Sequence, residues 1–271
     1  MAICKCKTFQ LVLKDLSQDE RIYLRDIFRS ARYAALADAE GFHEVCYAIE
    51  SLGMRLRGEK GDLGKYQCCI KELAKFSPVF EELPNRYPGL FTRFDALYET
   101  LRCARNDAMH SGSYARHAAT AAVELCIGLE ESLMNAPATK TPDFVADYMV
   151  KSPVSIEKWQ PVAHARQLML MHSYSFLPYE DKDGKWKLLS ELAVVGFLRK
   201  FSSNRKKEAL AQRISDAVAD GLKLLDAKLV KRTDSISEII SETSAQPTPT
   251  LWLVVGDENR LDGVLSPFEL M

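Results

Sequence analysis

The sequence has almost no net charge, no long apolar run and no even set of cysteines. Its 36 Lys and Arg residues nearly balance its 37 Asp and Glu residues, so any contact with nucleic acid must come from a local patch and not from the whole surface. No stretch reaches the roughly 18 consecutive apolar residues of a membrane-spanning helix. We therefore expect no membrane partner.

The cysteine pattern argues against a secreted disulfide scaffold. The chain has seven cysteines, an odd number, and no charged and then apolar leader with a small-residue cleavage site precedes them, so we expect the reducing cytoplasm. Cys4 and Cys6 lack the second cysteine pair or histidine pair that would complete a zinc site. We therefore predict no bound metal.

Length and composition predict two domains. A chain of 271 residues with 47% hydrophobic and 27% charged residues is typical of a folded protein with two modest cores. The segment 136–142 is small, polar and bounded by proline, which indicates a linker. We therefore predict an all-α helical bundle at 1–135 and an α/β domain at 143–271.

Helical periodicity runs through the N-terminal half. Ser17 is followed three residues later by Glu20, which matches a capping box and predicts the start of the first helix. Apolar residues recur at helical spacing from residue 90 and predict a helix that ends near 111–112. A last helix is predicted over 114–134, so this half reads as helices alone.

The periodicity changes beyond the linker. Strand-like Phe176–Tyr179 and Trp186–Leu189 flank an Asp-Lys-Asp-Gly turn, which predicts a hairpin. A second strand, helix and hairpin over 228–265 indicates an internal repeat. The predicted parts are a first unit at about 143–202, a connecting amphipathic helix at about 203–225 and a second unit at about 226–271.

One segment near the end of the 90–111 helix concentrates polar side chains. Residues 105–110 read Arg-Asn-Asp-Ala-Met-His. Arg105 can hold a phosphate with two parallel hydrogen bonds, Asn106 can bond another oxygen, and His110 can move a proton near neutral pH. Asn106 and His110 share one helix face, whereas Arg105 points about 100° away. Such a cluster can cut RNA without a metal.

The C-terminal half, from about residue 144, resembles a tandem pair of CBS domains. The segments 152–156 (SPVSI), 176–181 (FLPYED) and 263–269 (GVLSPFE) carry the resemblance. In that family, a hydroxyl and a carboxylate in the last segment hold the phosphate and ribose of an adenosine nucleotide. Ser266 stands at the hydroxyl position, and Glu269 stands where the family has the shorter Asp.

At the matching positions, the first CBS-like unit has Ser190 and Ala193 and thus lacks the carboxylate. The resemblance therefore implies one nucleotide site, at Ser266 and Glu269. It implies AMP, ATP or S-adenosylmethionine as a regulatory ligand.

The N-terminal half resembles the HEPN superfamily, helical bundles whose signature is Arg, four to six residues and then His. Arg105, Asn106 and His110 fit that signature in the penultimate helix. The resemblance implies a metal-independent endoribonuclease in which an RNA 2'-hydroxyl attacks the adjacent phosphodiester. Two such helices usually meet at a two-fold axis, so it also implies a homodimer with a shared cleft. HEPN proteins often serve as toxins or antiviral defence effectors.

The sequence departs from the family at one position and leaves other interpretations open. Some HEPN toxins carry a Tyr two residues after the His, where this chain has Gly112, which argues against nucleotidylation by a partner. Arg105 can instead pair with a local acid such as Asp107, while His110 caps the helix. The competing hypothesis for the whole chain is then a non-catalytic protein that senses a nucleotide or mediates dimerisation.

Two neighbouring residues also have two interpretations. Arg102 shares a face with Asn106, so it either extends the phosphate-binding track or forms a surface salt bridge. His117 either lines the same cleft or faces solvent.

Overall fold

The computed structural model describes residues 16–111, 118–135, 143–243 and 250–270. By their contacts, residues 1–141 and 142–271 form two separate compact units. The predicted linker at 136–142, the predicted start of the last helix at 114 and the Cys4–Cys6 pair lie outside the described residues.

The N-terminal unit is helical throughout its described residues. Its helices are α1 Gln18–Ala37, α2 Phe42–Arg57, α3 Leu63–Ala74, α4 Glu82–Arg86, α5 Phe94–Ser111 and α6 Ala119–Asn135.

Local capping explains where several of these helices begin and end. The predicted capping box is confirmed, because Ser17 N donates to Glu20 Oε2 at 2.9 Å and Glu20 N donates to Ser17 Oγ at 3.2 Å. Asp62 caps α3 through a 2.9 Å bond from Lys65 N. Gly58 ends α2 at a φ of 75°, a left-handed conformation that glycine adopts without strain.

A single hydrophobic core joins α1, α2, α3, α5 and α6. α1 packs against α2 and α6, α2 packs against α3, and α5 packs against α6. Gly53 of α2 is required by this packing, since a Cβ there would lie 2.3 Å from the ring of Tyr66. The largest fully buried side chains in this unit are Phe28, Phe42, Ile49, Leu52, Leu56, Ile70, Leu73, Tyr98, Leu101, Leu125 and Leu129.

The C-terminal unit alternates helices and strands. Its helices are α7 Val145–Tyr148, α8 Val162–His172, α9 Glu191–Arg199, α10 Ser203–Ala211, α11 Ile214–Ala219 and α12 Ile236–Thr243. Its strands are β1 Val150–Lys151, β2 Phe176–Glu180, β3 Trp186–Ser190, β4 Leu225–Asp226, β5 Lys228–Val230, β6 Trp252–Val255 and β7 Leu261–Leu265.

The predicted hairpin is confirmed between β2 and β3, which pair antiparallel. Asp181 closes its turn, because the carboxylate accepts hydrogen bonds from the backbone N–H groups of Asp183 and Lys185 at 2.9 and 2.8 Å. Gly184 follows with a φ of 76°. β6 and β7 form the corresponding antiparallel pair in the second half.

The opening strand of each half of the C-terminal unit pairs with a strand of the other half. β1 pairs antiparallel with β7, and β4 pairs antiparallel with β3. One sheet therefore has four strands in the order β1-β7-β6-β5, and the other has three in the order β2-β3-β4. Neither half completes its sheet from its own residues.

Backbone bonds at the helix starts repeat the exchange. Val145 N donates to Asp234 O at 3.0 Å, and in the other half Ile214 N donates to Gln160 O at 2.8 Å. The side chains are exchanged in the same way. Val145 packs in the core of the second half, and Ile214 packs in the core of the first half. The unit therefore has two small cores that share their opening segments.

The predicted connecting helix over 203–225 is wrong. The chain forms α10 and α11, separated by Gln212 and Arg213 in extended conformations. Gln212 O accepts a 2.9 Å bond from Val162 N, so tertiary pairing at the start of α8 replaces helical continuity. α11 packs in the first core, as the opening segment of the second half, just as α7 of the first half packs in the second core.

Across the described ranges, no helix is long and apolar enough to cross a bilayer.

Candidate functional site

The Arg105 side chain joins two helices. Its Nη2 donates to Glu50 Oε1 of α2 at 2.7 Å. The Arg105 side chain is 33% exposed and that of Glu50 is 30% exposed. The observed partner is therefore a carboxylate 55 residues away, and not the neighbouring Asp107 that local spacing suggested.

The Arg105–Glu50 contact differs from two other Arg–Glu pairs that join helices in this unit. Arg32 donates to Glu130 through Nε at 2.8 Å and through Nη2 at 3.1 Å. Arg55 donates to Glu20 in the same two-pronged way, at 2.7 and 3.0 Å. Arg105 makes one such bond, and within the described ranges its Nε and Nη1 have no acceptor, so they can donate to another one.

The buried thiol of Cys46 lies close to the Arg105–Glu50 ion pair. Cys46 lies one helical turn before Glu50 and is buried. Burial raises the pKa of Cys46 to about 12, although the nearby Arg105 charge acts in the opposite direction. The thiol is therefore protonated at neutral pH and is not a nucleophile.

α5 contacts both α2 and α3. Two turns before Arg105, the hydroxyl of Tyr98 donates to the backbone oxygen of Leu63, the first residue of α3, at 2.7 Å. Arg105 itself reaches Glu50 in the middle of α2. α5 is therefore anchored at these two points, on α3 through Tyr98 and on α2 through Arg105.

The other residues of the predicted RNA site are placed in part. The side chain of Asn106 is exposed, one residue beyond Arg105. The backbone of His110 belongs to α5, but its side chain lies outside the described residues, as do Gly112 and His117 altogether. The convergence of Arg105, Asn106 and His110 therefore remains a prediction.

Arg102 forms a surface salt bridge. Its Nη2 lies 2.6 Å from Glu99 Oε1, three residues earlier on α5, and both side chains are well exposed. Of the two interpretations of Arg102, the structure therefore contains the salt bridge.

In the C-terminal unit, Ser266 and Glu269 lie together at the end of β7. Glu269 Oε2 accepts a 2.7 Å bond from Ser266 N and a second bond from the Ser266 hydroxyl. Both residues are half-buried at the start of a 3-10 helix, Pro267–Leu270. Glu269 Oε1 makes no hydrogen bond within the described ranges.

Ser190 occupies the equivalent place at the end of β3. It is buried and caps α9, because its hydroxyl accepts a 3.1 Å bond from Ala193 N. Ala193 supplies no carboxylate. The two halves therefore present different groups at equivalent positions.

A cleft of about 520 Å³ lies elsewhere in the same unit. The two hairpin turns meet beside it, because Trp186 Nε1 donates to Asn259 O at 2.8 Å and Asn259 Nδ2 donates to Gly184 O at 2.7 Å. It is lined by Ser152, Pro153, Ser155, Glu180, Trp186, Glu258, Asn259, Arg260 and Leu261. Neither Ser266 nor Glu269 lines this cleft.

Sequence reasoning missed Glu50 and the cleft residue Trp186. Glu50 is one of many surface acids by composition, and nothing near it in the sequence marks its partner on α5. Trp186 was predicted only as the start of a strand. In the described ranges, no group of three or more His, Cys, Asp or Glu residues is placed to bind a metal.

No known family model matches the chain, and no curated protein matches it in sequence. Among solved structures, it is similar to a CBS domain-containing protein of unknown function from Bacillus anthracis. The identity is 19% over 47% of this chain and 89% of that chain, with a TM-score of 0.37.

Two further similar structures contain ligands. One is CBSX2 in complex with AMP, with 14% identity over 47% of this chain and 92% of that chain and a TM-score of 0.36. The other is a CBS domain pair in complex with 5'-methylthioadenosine and S-adenosyl-L-methionine. Its identity is 16% over 48% of this chain and 94% of that chain, with a TM-score of 0.34.

Proposed function

We propose that residues 143–271 form a CBS-type pair that binds an adenosine nucleotide and regulates the helical unit. The reciprocal exchange of β1 and β4 carries this proposal, because it joins the two halves into one module with two equivalent positions. Ser266 and Glu269 occupy one of these positions and Ser190 the other. We propose a single site, in the half that has both a hydroxyl and a carboxylate.

The half-buried carboxylate suits a ribose diol. Glu269 Oε2 is held by Ser266, while Oε1, which has no partner among the described residues, can accept hydrogen bonds from vicinal hydroxyls. Binding can rotate the Ser266 hydroxyl from Glu269 towards a phosphate oxygen, because that hydroxyl is a single rotor. In the first half, Ser190 is occupied as a helix cap and has no carboxylate beside it.

Thermal unfolding with AMP, ATP, S-adenosylmethionine and cyclic di-AMP tests this proposal. A true ligand at a hundred times its Kd stabilises the folded state by about 2.7 kcal/mol. We expect Glu269→Ala to remove the shift in melting temperature, and we expect Glu191→Ala, an exposed acid on α9, to retain it. Absence of a shift with all four compounds would contradict nucleotide sensing.

A second function is proposed for the helical unit: metal-independent RNA cleavage by Arg105, Asn106 and His110. The guanidinium of Arg105 supports it, because this group is half-exposed beside exposed Asn106 and makes a single hydrogen bond within the described ranges. In the proposed step, the RNA 2'-oxygen attacks phosphorus and the 5'-oxygen leaves, so the products are a 2',3'-cyclic phosphate and a 5'-hydroxyl. His110 takes or returns the proton, and Arg105 stabilises the phosphoryl charge.

We propose that a homodimer brings two such segments into one cleft, since helix geometry separates Arg105 from His110 within one chain. A nucleotide would regulate cleavage by favouring one arrangement of that dimer. A toxin or a phage-defence effector is the role that such a regulated nuclease would serve.

Cleavage of RNA in the presence of a chelator tests the nuclease proposal. We expect Arg105→Ala to lose about 10²–10³ in rate and His110→Ala about 10²–10⁴. Arg86→Ala, an exposed arginine of the same unit, is the control, and 2'-O-methyl RNA should remain intact because it lacks the nucleophile. Equal cleavage by all variants, or by none, favours a non-catalytic nucleotide sensor.

A further inference from the structure

We infer that Glu50 of α2 is a positioning residue, which orients the guanidinium of Arg105 so that its Nε and Nη1 face a phosphate of bound RNA. This inference rests on the proposed RNA site. It adds a residue from a second helix, which the sequence motif does not contain.

The bond pattern supports a positioning role over a structural one. Where Arg–Glu pairs tie α1 to α6 and α1 to α2, the guanidinium uses both Nε and Nη2. Arg105 gives Glu50 only its Nη2. One charge-assisted bond restrains a long side chain, while the planar group keeps further donors for the paired geometry that phosphate oxygens prefer.

α2 is a rigid platform for the carboxylate. Glu50 follows fully buried Ala48 and Ile49 and precedes fully buried Leu52. The helix cannot rotate without disturbing the core, so the backbone of Glu50 has a fixed position. A carboxylate attached to this backbone can therefore limit where the end of Arg105 lies, even though Arg105 is long and half-exposed.

The charge of Glu50 predicts opposite effects on binding and turnover. A carboxylate next to an RNA phosphate repels it, so Glu50→Ala should strengthen RNA binding and lower KM. The same change releases Arg105 from its productive orientation, so kcat should fall, by up to about 100-fold. A contact that only stabilised the fold would not lower KM and kcat together.

The experiment compares the full-length protein with Glu50→Ala, Glu50→Gln, Arg105→Ala and the Glu50→Ala/Arg105→Ala double variant. Glu50→Gln keeps an oxygen that can accept the Nη2 bond, so it should retain more kcat than Glu50→Ala. Glu20→Ala is the matched control. It removes a similarly exposed Arg–Glu pair and also a helix cap, so it destabilises the unit at least as much while leaving kcat and KM unchanged.

Each outcome decides the inference. Lower kcat with lower KM in Glu50→Ala, and partial rescue by Gln, supports positioning. A higher kcat in Glu50→Ala would overturn it, because Glu50 would then withhold Arg105 from the substrate. Unchanged kinetics would also overturn it.

Binding of 2'-O-methyl RNA separates this inference from the proposed cleavage. If the wild-type chain binds this RNA but does not cleave normal RNA, the nuclease proposal fails, and the double-variant cycle still tests positioning. Effects of Glu50 and Arg105 that are coupled would support it, and additive effects would overturn it. If the wild-type chain neither binds nor cleaves RNA, both proposals fail.

Discussion

The two units of this protein use opposite ways of completing a core. In the helical unit, α1, α2, α3, α5 and α6 all contribute to one buried cluster. In the C-terminal unit, two smaller clusters each contain residues that come from the opening segment of the other half. The helical unit is therefore stabilised by one large core. The C-terminal unit is stabilised by the reciprocal exchange of segments between its two small cores.

The two units also differ in how the polar pair at each candidate site is formed. In the helical unit, Arg105 and Glu50 project from neighbouring rigid helices, so the ion pair depends on how those helices pack. In the C-terminal unit, Ser266 and Glu269 are three residues apart and bond each other. One site depends on tertiary structure, whereas the polar pair of the other is local.

The largest loss of stability is expected from truncating a side chain in the single core of the helical unit. Phe28→Ala removes a fully buried ring from α1, so the unfolding free energy of the helical unit should fall by about 3–5 kcal/mol. Urea unfolding followed by circular dichroism measures it. Phe268→Ala is the control because Phe268 is 77% exposed, and a loss below about 1 kcal/mol in Phe28→Ala would contradict a tightly packed core.

The exchange in the C-terminal unit predicts the next effect. Met149 belongs to the first half of that unit but packs with Trp252 in the second core. Met149→Ala should lower the stability of the second core by about 2–5 kcal/mol. Trp252 fluorescence reports it in a background where Trp159 and Trp186 are changed to Phe.

Val154→Ala is the matched control for Met149→Ala. Val154 is also near the start of the first half but is 39% exposed, so its truncation should leave the Trp252 transition in place. An unchanged midpoint of the Trp252 transition in Met149→Ala would contradict the conclusion that the first half stabilises the second core.

A smaller effect is expected at the helix cap that replaces a second ligand site. Ser190→Ala removes the bond from Ala193 N and should destabilise α9 by about 1 kcal/mol. Nucleotide binding, measured by the thermal shift, should persist because the proposed site contains Ser266 and Glu269. Loss of binding in Ser190→Ala would instead assign the ligand to the first half.

The smallest effect is a pH dependence in the helical unit. The bond from Arg55 and the capping bond with Ser17 hold the pKa of Glu20 at about 2, below its ordinary 4.5. The folded pKa is lowered, so the associated stability is present above pH 4.5 and is lost as the pH falls towards about 2. Because the side chain is 38% exposed, solvent screening should limit this contribution to below about 1 kcal/mol.

Melting temperatures of Glu20→Gln and of the wild type, followed as the pH falls from neutral towards 2, measure this contribution. The variant should lose less stability across the acid range than the wild type. Glu81→Gln, an exposed acid of the same unit, should follow the wild-type curve. Parallel curves for Glu20→Gln and wild type would remove Glu20 from the acid response.

Much of the fold was predictable where neighbouring residues decide it. The Ser17–Glu20 capping box and the β2–β3 hairpin were predicted because their partners are close in sequence. The interruption at Gln212 was not, because its carbonyl is taken by Val162, which lies far back along the chain. The pattern around 203–225 favours a helix, but the residues around Gln212 form tertiary bonds with 158–162 instead.

The amino-acid sequence by itself determined the helical character of the first unit, the repeated order of the second and the polar residues available for chemistry. These depend on periodicity, capping and turns, which act between near neighbours. Only the tertiary structure decided that Arg105 pairs with Glu50 and that β1 completes the sheet of the other half. Those contacts join residues that are distant in sequence. Packing and burial select them, so the local sequence pattern does not predict them.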